Sequence, residues 1–265
     1  MSPASIAVRM DLAMGYEKEI IPQAIAPFCW AACLGDCSVD HSREHILTRS
    51  TIRGPQLSVE GFPFQQGQAI TLHKNKFSSN ILCRYHNNYL TSVDQAGTTA
   101  FEALRDAVSA GPKRKSKIRG ELFERWLLKT FINFELLANF STRIPAELVE
   151  ISFGIRSFPP QSGLFYLVNE EYRVIPEDRI SFIRLHDPSR NGDVPCGKFI
   201  VGGFPFLLAL GPAPTGPITF RDNQGMVEES RLIHHPARFN FPSGNAVIID
   251  WRKRISTKMG CRKSK

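Results

Sequence analysis

Cys29-Trp30-Ala31-Ala32-Cys33-Leu34-Gly35-Asp36-Cys37, answered further along the chain by Cys83-Arg84-Tyr85-His86, is the pair of segments on which the reading of this sequence turns. Structural zinc takes four soft or borderline ligands at tetrahedral corners, and residues close in sequence supply two corners from one tight turn. The spacing predicts one Cys-x3-Cys knuckle and one Cys-x2-His knuckle. In the first, Cys29 can pair with Cys33, or Cys33 with Cys37; the former is slightly preferred, giving Cys29, Cys33, Cys83 and His86 as the predicted metal ligands. The competing explanation is a set of buried small thiols beside a surface histidine. Cys196 and Cys261 stand alone. At the N-terminus Arg9 and Asp11 interrupt any apolar signal region, so a cytoplasmic, reducing setting is expected, where cysteines serve as metal ligands or free thiols before disulfides.

Outward from these knuckles, the intervening chain carries Ser42-Arg43-Glu44-His45-Ile46-Leu47. Ser78-Ser79-Asn80-Ile81-Leu82 leads into Cys83, and Asn87-Asn88 follows His86. Leu90, Val93, Ala96, Ala100, Leu104 and Val108 then recur at helical spacing to about Ala110. Taken singly, a Glu-His pair is an ordinary polar surface element and an Asn before a helix is an ordinary cap. Asp40-His41 forms a second acidic-His pair, but its closeness to the knuckle and the Ile-Leu after Glu44-His45 favour the latter.

In this order the residues resemble the HNH nucleases with a treble-clef, ββα-metal site, built as Cys-x2-Cys, Asp/Glu-His and Asn-x3-Cys-x2-Cys-Asn. The likeness is narrower to uncharacterised bacterial and phage HNH-like proteins with a Ser-Arg/Lys-Glu-His-Ile/Val segment and a later Arg-Trp-x2-Lys-Thr helix, here Arg125-Trp126-Leu127-Leu128-Lys129-Thr130. It spans about residues 27–140, with His86 in place of the usual fourth cysteine. The resemblance implies a metal-dependent endonuclease that hydrolyses DNA phosphodiester bonds. His45 would be the general base. Glu44 and Asn87 would hold a catalytic divalent cation, Mg2+ or similar, and Asn80 would orient the histidine. Structural zinc would staple strand, loop and helix. Such chemistry needs a deprotonated water and positive charge on the phosphate, hence these residue types.

The 265 residues carry 33 Lys and Arg against 25 Asp and Glu, a net charge of +8. The excess is local. Residues 113–140 hold 7 basic and 3 acidic side chains and the last fifteen hold 7 and none, while the remainder is close to neutral. Lys113, Arg114, Lys115, Lys117 and Arg119 follow Gly111-Pro112 and read as a mobile basic loop able to meet a DNA or RNA backbone. A solubilising loop and a frayed tail are the plainer explanation of either run alone.

Residues 117–144 are predicted as a helix, with Arg125 and Lys129 one turn apart on a solvated basic side. Beyond Pro145 the texture changes, and eleven of the 18 prolines lie past residue 150. Short β-rich runs appear at 164–168, 172–175, 180–185, 199–201, 206–210 and 246–251, separated by turns such as Asn191-Gly192 and Asn223-Gln224-Gly225. The uncharged stretch 199–220 contains four prolines and four glycines, which a membrane span would not tolerate. His234-His235 reads as a solvated turn.

The predicted fold is therefore α+β: an N-terminal segment (1–26), a zinc-stapled treble-clef ββα HNH-like module (27–110), a basic linker and amphipathic helix (111–145), a C-terminal antiparallel β domain (146–251) and a basic tail (252–265). A non-catalytic zinc module for nucleic acid or protein is the alternative function. No membrane association is expected, and nothing in the sequence sets an oligomeric state.

Overall fold

The structure, a computed structural model, describes residues 29–61, 69–108, 114–137, 144–167, 179–185, 196–201, 204–212, 218–221, 227–230 and 232–252. The N-terminal segment, Lys113, the run at 172–175, the turns at 191–192 and 223–225, Cys261 and the tail beyond Arg252 lie outside these residues.

Strand β1 (His41–His45) pairs antiparallel with β4 (Ser78–Cys83), from His41 opposite Cys83 to His45 opposite Ser78. Between Ser42↔Leu82 and Glu44↔Ser79 the register shifts, so Arg43 alone faces Asn80 and Ile81 in a β-bulge. Helix α1 (Arg84–Tyr89) follows β4 directly, with the Cys83 sulfur as its cap, accepting from the His86 amide at 3.5 Å. Helix α2 (Thr91–Val108) buries Val93, Gly97, Ala100, Phe101, Leu104 and Ala107 along one stripe, the periodicity expected from the sequence.

Helix α3 (Gly120–Leu137) is the axis of the core. The predicted solvated side does not exist: the helix is buried nearly all round, Lys129 included. The reason is that it is covered from several directions. Phe131 and Phe134 pack on Phe182 and Phe199, while Phe123 and Trp126 pack on Phe101 and Phe123 on Phe206. Each such fully buried ring contributes roughly 1.5–3 kcal/mol. Helix α2 crosses closely because Gly97 has no side chain; a Cβ there would stand 2.4 Å from the Trp126 ring.

The main sheet has seven strands in the order β12-β6-β9-β8-β7-β2-β3, comprising β2 (Gln56–Glu60), β3 (Ile70–His73), β6 (Gly163–Leu167), β7 (Arg179–Leu185), β8 (Cys196–Val201), β9 (Phe204–Ala209) and β12 (Leu232–His234). All pairings are antiparallel except β2 with β7. A second sheet, β13-β14-β5, joins β13 (Arg238–Asn240) and β14 (Ala246–Asp250) to β5 (Lys115–Arg119), the last pair parallel. Strands β10 (Ile218–Arg221) and β11 (Val227–Ser230) form a separate hairpin. Helix α4 (Ala146–Ser152) packs on α3.

The segment expected as a separate C-terminal β domain thus shares both larger sheets with earlier residues, and one buried cluster runs from Cys29 to Ile249. Alternation along a strand tells which face is buried but not which distant strand lies beside it, and parallel partners are necessarily remote in sequence. The predicted mobile loop is likewise corrected over 115–119, which is strand β5. Among the described residues no helix is long and apolar enough to cross a membrane.

Candidate metal centre and adjoining cavity

Four donors converge where the N-terminal knuckle meets the β4–α1 junction. Sγ of Cys29, Cys37 and Cys83 and the His86 ring lie within 4.8 Å of one another. His86 Nδ1 is 3.4 Å from Cys29 Sγ, 3.6 Å from Cys37 Sγ and 3.2 Å from Cys83 Sγ. At bond lengths of about 2.3 Å to sulfur and 2.0–2.1 Å to nitrogen, the S···N edge of a tetrahedron is about 3.6 Å, so the three S···N distances are close to those of such a site and the four residues could hold a metal ion.

Cys37 replaces the predicted Cys33. A 3-10 turn at 32–34 carries Cys33 outward to solvent, and Gly35 (φ 79°) with Asp36 (φ 54°) reverses the chain through left-handed backbone, returning Cys37 to the cluster. Sequence could flag this, because Gly-Asp before a cysteine is a turn in its own right. Burial pushes the Cys29 thiol up to about 12 and lowers the His86 pKa, which keeps that imidazole neutral and able to ligate. Burial also opposes the Cys83 thiolate, but hydrogen bonds, led by the His86 and Ser38 backbone amides, outweigh it and bring that pKa down.

Beyond β1 lies a cavity of about 460 Å³ lined by Glu44, His45 and Asn87 together with Thr48, Asp94 and Lys129, while Arg43, Arg49 and Lys74 add positive charge. Three of the four predicted catalytic residues are thereby brought together. The fourth is not: Asn80 is exposed opposite the bulge and does not line the cavity. The bulge explains its displacement, since it breaks the alternation that a regular hairpin would have given. Asn87 donates from Nδ2 to Ser42 Oγ at 2.6 Å, which ties α1 to β1. His45 is half-buried and its Nδ1 makes no hydrogen bond among the described residues. Burial, then Arg49, Arg43 and Lys129, hold its pKa below the usual histidine value.

Glu44 is 3% exposed and its Oε1 lies 2.6 Å from Lys129 Nζ, which also reaches Asp94 Oδ1 and Oδ2 at 2.6 and 2.7 Å. Asn133 Nδ2 donates to Glu44 at 3.3 Å. Trp126 Nε1 donates to Thr48 Oγ1 at 2.7 Å, and that hydroxyl donates to Asp94 at 2.6 Å. Burial opposes the Lys129 ammonium, but the two carboxylates outweigh it and raise its pKa. Sequence reasoning missed Asp94, Thr48 and Asn133. A signal for the α3 members existed in Trp126, Lys129 and Asn133, a polar-tipped row at three- and four-residue steps in an otherwise apolar helix.

Of the predicted nucleic-acid contacts, Arg114, Lys115, Lys117 and Arg119 are exposed on or beside β5, and none of them lines the cavity. His234, expected in a solvated turn with His235, is exposed at the end of β12, and His235 forms the bend after it but is held by its neighbours. His235 (φ 44°) is stacked between His234 at 3.9 Å and Trp251 at 4.0 Å, and its Nε2 lies 2.8 Å from the buried Glu124 carboxylate. That carboxylate also accepts from the Leu164 amide.

No protein-family model, curated protein or solved structure matches this chain.

Proposed function

We propose that the chain is a zinc-stapled nuclease of the ββα kind, hydrolysing phosphodiester bonds of DNA in the cavity beside β1. The observation that carries this reading is the convergence of His45, Glu44 and Asn87 with the cations Arg43, Arg49 and Lys74 on one cavity, next to a Cys3His cluster at the strand-to-helix junction. A treble-clef arrangement is consistent with that order of knuckle, hairpin and helix. Zinc is the ion the donor set suits best, because three thiols and an imidazole at tetrahedral corners favour it over hard cations that take oxygen ligands.

In this reading His45, held neutral, takes a proton from water. The water oxygen bonds to phosphorus as the phosphorus–oxygen bond to the leaving sugar breaks. Arg43, Arg49 and Lys74 neutralise the phosphate and the charge developing on the leaving oxygen. Asn87 fixes α1 against β1 through Ser42 and so keeps His45 in place. The resemblance assigned Glu44 to a catalytic divalent cation. Lys129 at 2.6 Å and Asn133 at 3.3 Å already occupy Glu44 Oε1, so only the second carboxylate oxygen would remain for such an ion, and the steps above are carried by the chain's own residues.

The test is cleavage of plasmid and single-stranded DNA by purified protein, with and without magnesium or manganese, against His45→Ala. The reading requires activity that His45→Ala loses by at least about a hundredfold, the usual scale for general-base removal. A second reading, a non-catalytic zinc module that binds nucleic acid or protein, is favoured by the Glu44–Lys129 pair and by the placement of Asn80 outside the cavity. It is the conclusion to adopt if neither protein cleaves.

A further inference from the structure

We propose that the outer face of the three-stranded sheet β13-β14-β5 is a binding surface for a nucleic-acid backbone, made of cations from both edge strands and sharing no residue with the cavity. Along β5 the exposed side chains are Lys115, Lys117 and Arg119, while Ile118 between them is buried. Residues paired across a ladder point to the same side of a sheet. Lys115 pairs with Ala246, Lys117 with Ile248 and Arg119 with Asp250, and Ile248 pairs in turn with exposed Arg238 of β13. Arg238, Ile248 and Lys117 therefore form one row across the sheet with a cation at each end. The 3.0 Å contact of Lys117 Nζ with Asp250 Oδ2 shows the shared side directly. The inner face, Phe239, Val247, Ile249 and Ile118, is buried in the core, which leaves the cationic face outward.

The pattern fits phosphates. Outward positions on β5 are two residues apart, about 6.6 Å at the strand rise of about 3.3 Å per residue, comparable to the separation of consecutive phosphates on one strand. The acid on this face, Asp250, binds Lys117 and also fixes Arg252 through its Nε and Nη2, both at 2.8 Å, so it positions a further cation. A lysine on an edge strand is often a guard against edge pairing. That accounts for a cation on β5, but not for a charged row that ends at Arg238 on the opposite edge. Nucleic acid is favoured over an anionic membrane because none of the exposed large apolar side chains, Val39, Tyr85, Tyr89, Ile155 and Ile233, belongs to these strands. A surface-lying membrane element needs such an apolar wedge.

The test uses full-length His45→Ala protein without divalent ions, so that its outcome is independent of cleavage. Binding of fluorescent single-stranded and duplex oligonucleotides is measured against salt for Lys115→Gln/Lys117→Gln/Arg119→Gln and for a charge-matched control, Arg53→Gln/Arg84→Gln/Arg156→Gln. The sheet variant is expected to bind at least tenfold more weakly, with a slope of log K on log salt shallower by about 2 to 3, and the control to bind as the parent does. Equal binding and slope for the sheet variant and its parent overturn the proposal, as does equal loss in the control. Lysine acylation of the unsubstituted sheet gives a readout that no folding defect can disturb: Lys115 and Lys117 become protected by oligonucleotide, and unchanged labelling overturns the proposal. Preferential binding to phosphatidylserine vesicles that oligonucleotide does not displace also overturns it, in favour of a membrane.

Discussion

Two largely buried polar centres, the first with Cys37 at its exposed edge, flank strand β1, and they satisfy their charges in opposite ways. At one end Cys29, Cys37, Cys83 and His86 gather four donors with no lysine or arginine among them. At the other, Glu44 and Asp94 close around Lys129, so the cation is part of the chain. A thiol such as Cys29, pushed up to about 12 by burial, releases its proton to solvent readily only when a metal ion takes the thiolate. The Glu44–Lys129–Asp94 set needs nothing from outside. The fold thus contains one centre that could hold an external ion and one whose charges all come from the chain itself. Their separate failure modes distinguish them.

The largest effect should come from the ion. Structural zinc in small domains is worth about 10–16 kcal/mol of apparent binding free energy, because site and fold form together. Purified protein is expected to carry one zinc per chain by elemental analysis and to lose it, with a large fall in Tm, on prolonged chelation. Cys37→Ser and Cys83→Ser should each lose most of the metal, whereas Cys33→Ser should retain a full equivalent. Metal loss in Cys33→Ser and retention in Cys37→Ser would reverse the assignment of the knuckle.

The ion triad ranks next. Lys129→Met removes the ammonium and leaves two carboxylates facing each other, one of them buried, a loss of about 3–5 kcal/mol. It should leave the zinc content unchanged if the two centres are independent. Because the Lys129 pKa lies above its unfolded value of about 10.4, its contribution is fully present below that pH and is lost as pH rises through the folded value. The stability gap between wild type and Lys129→Met, read by urea denaturation, should therefore hold at neutral pH, narrow on the alkaline side as Lys129 loses its proton, and narrow in acid as the Glu44 carboxyl, which burial already pushes up, is protonated in the variant. Zinc is lost on the acid side as well, as protons compete for the thiolates.

The contrast also explains what the sequence disclosed. The candidate metal ligands are bunched, two in one knuckle and two in one helical turn, so their spacing announced a centre even though the choice of Cys37 over Cys33 depended on a left-handed Gly35-Asp36 reversal that spacing does not encode. Glu44, His45 and Asn87 were legible because they adjoin that centre. The triad was not, since its members come from β1, α2 and α3 and are joined only by tertiary packing. Lys129 in particular reads as a solvated helix residue until the sheets that cover α3 are in place. The same limit hid the pairings of β2 with β7 and β5 with β14, whose partners lie far apart in the chain.

The smallest effect probes how far the triad is wired to its surroundings. Thr48 Oγ1 accepts from Trp126 Nε1 and donates to Asp94 Oδ1, so Thr48→Val deletes an acceptor and a donor while keeping the side-chain volume. Trp126 is fully buried and its indole N–H would be left unpaired, which costs about 1–3 kcal/mol. If Thr48 acts with Lys129 as one network, the double variant Thr48→Val/Lys129→Met should lose less stability than the sum of the singles, by at least about 0.5 kcal/mol. Strict additivity would mean that the hydroxyl serves Trp126 alone. The triad would then be a Lys129-centred pair of ion bridges, and its difference from the Cys3His cluster would lie in a single side chain.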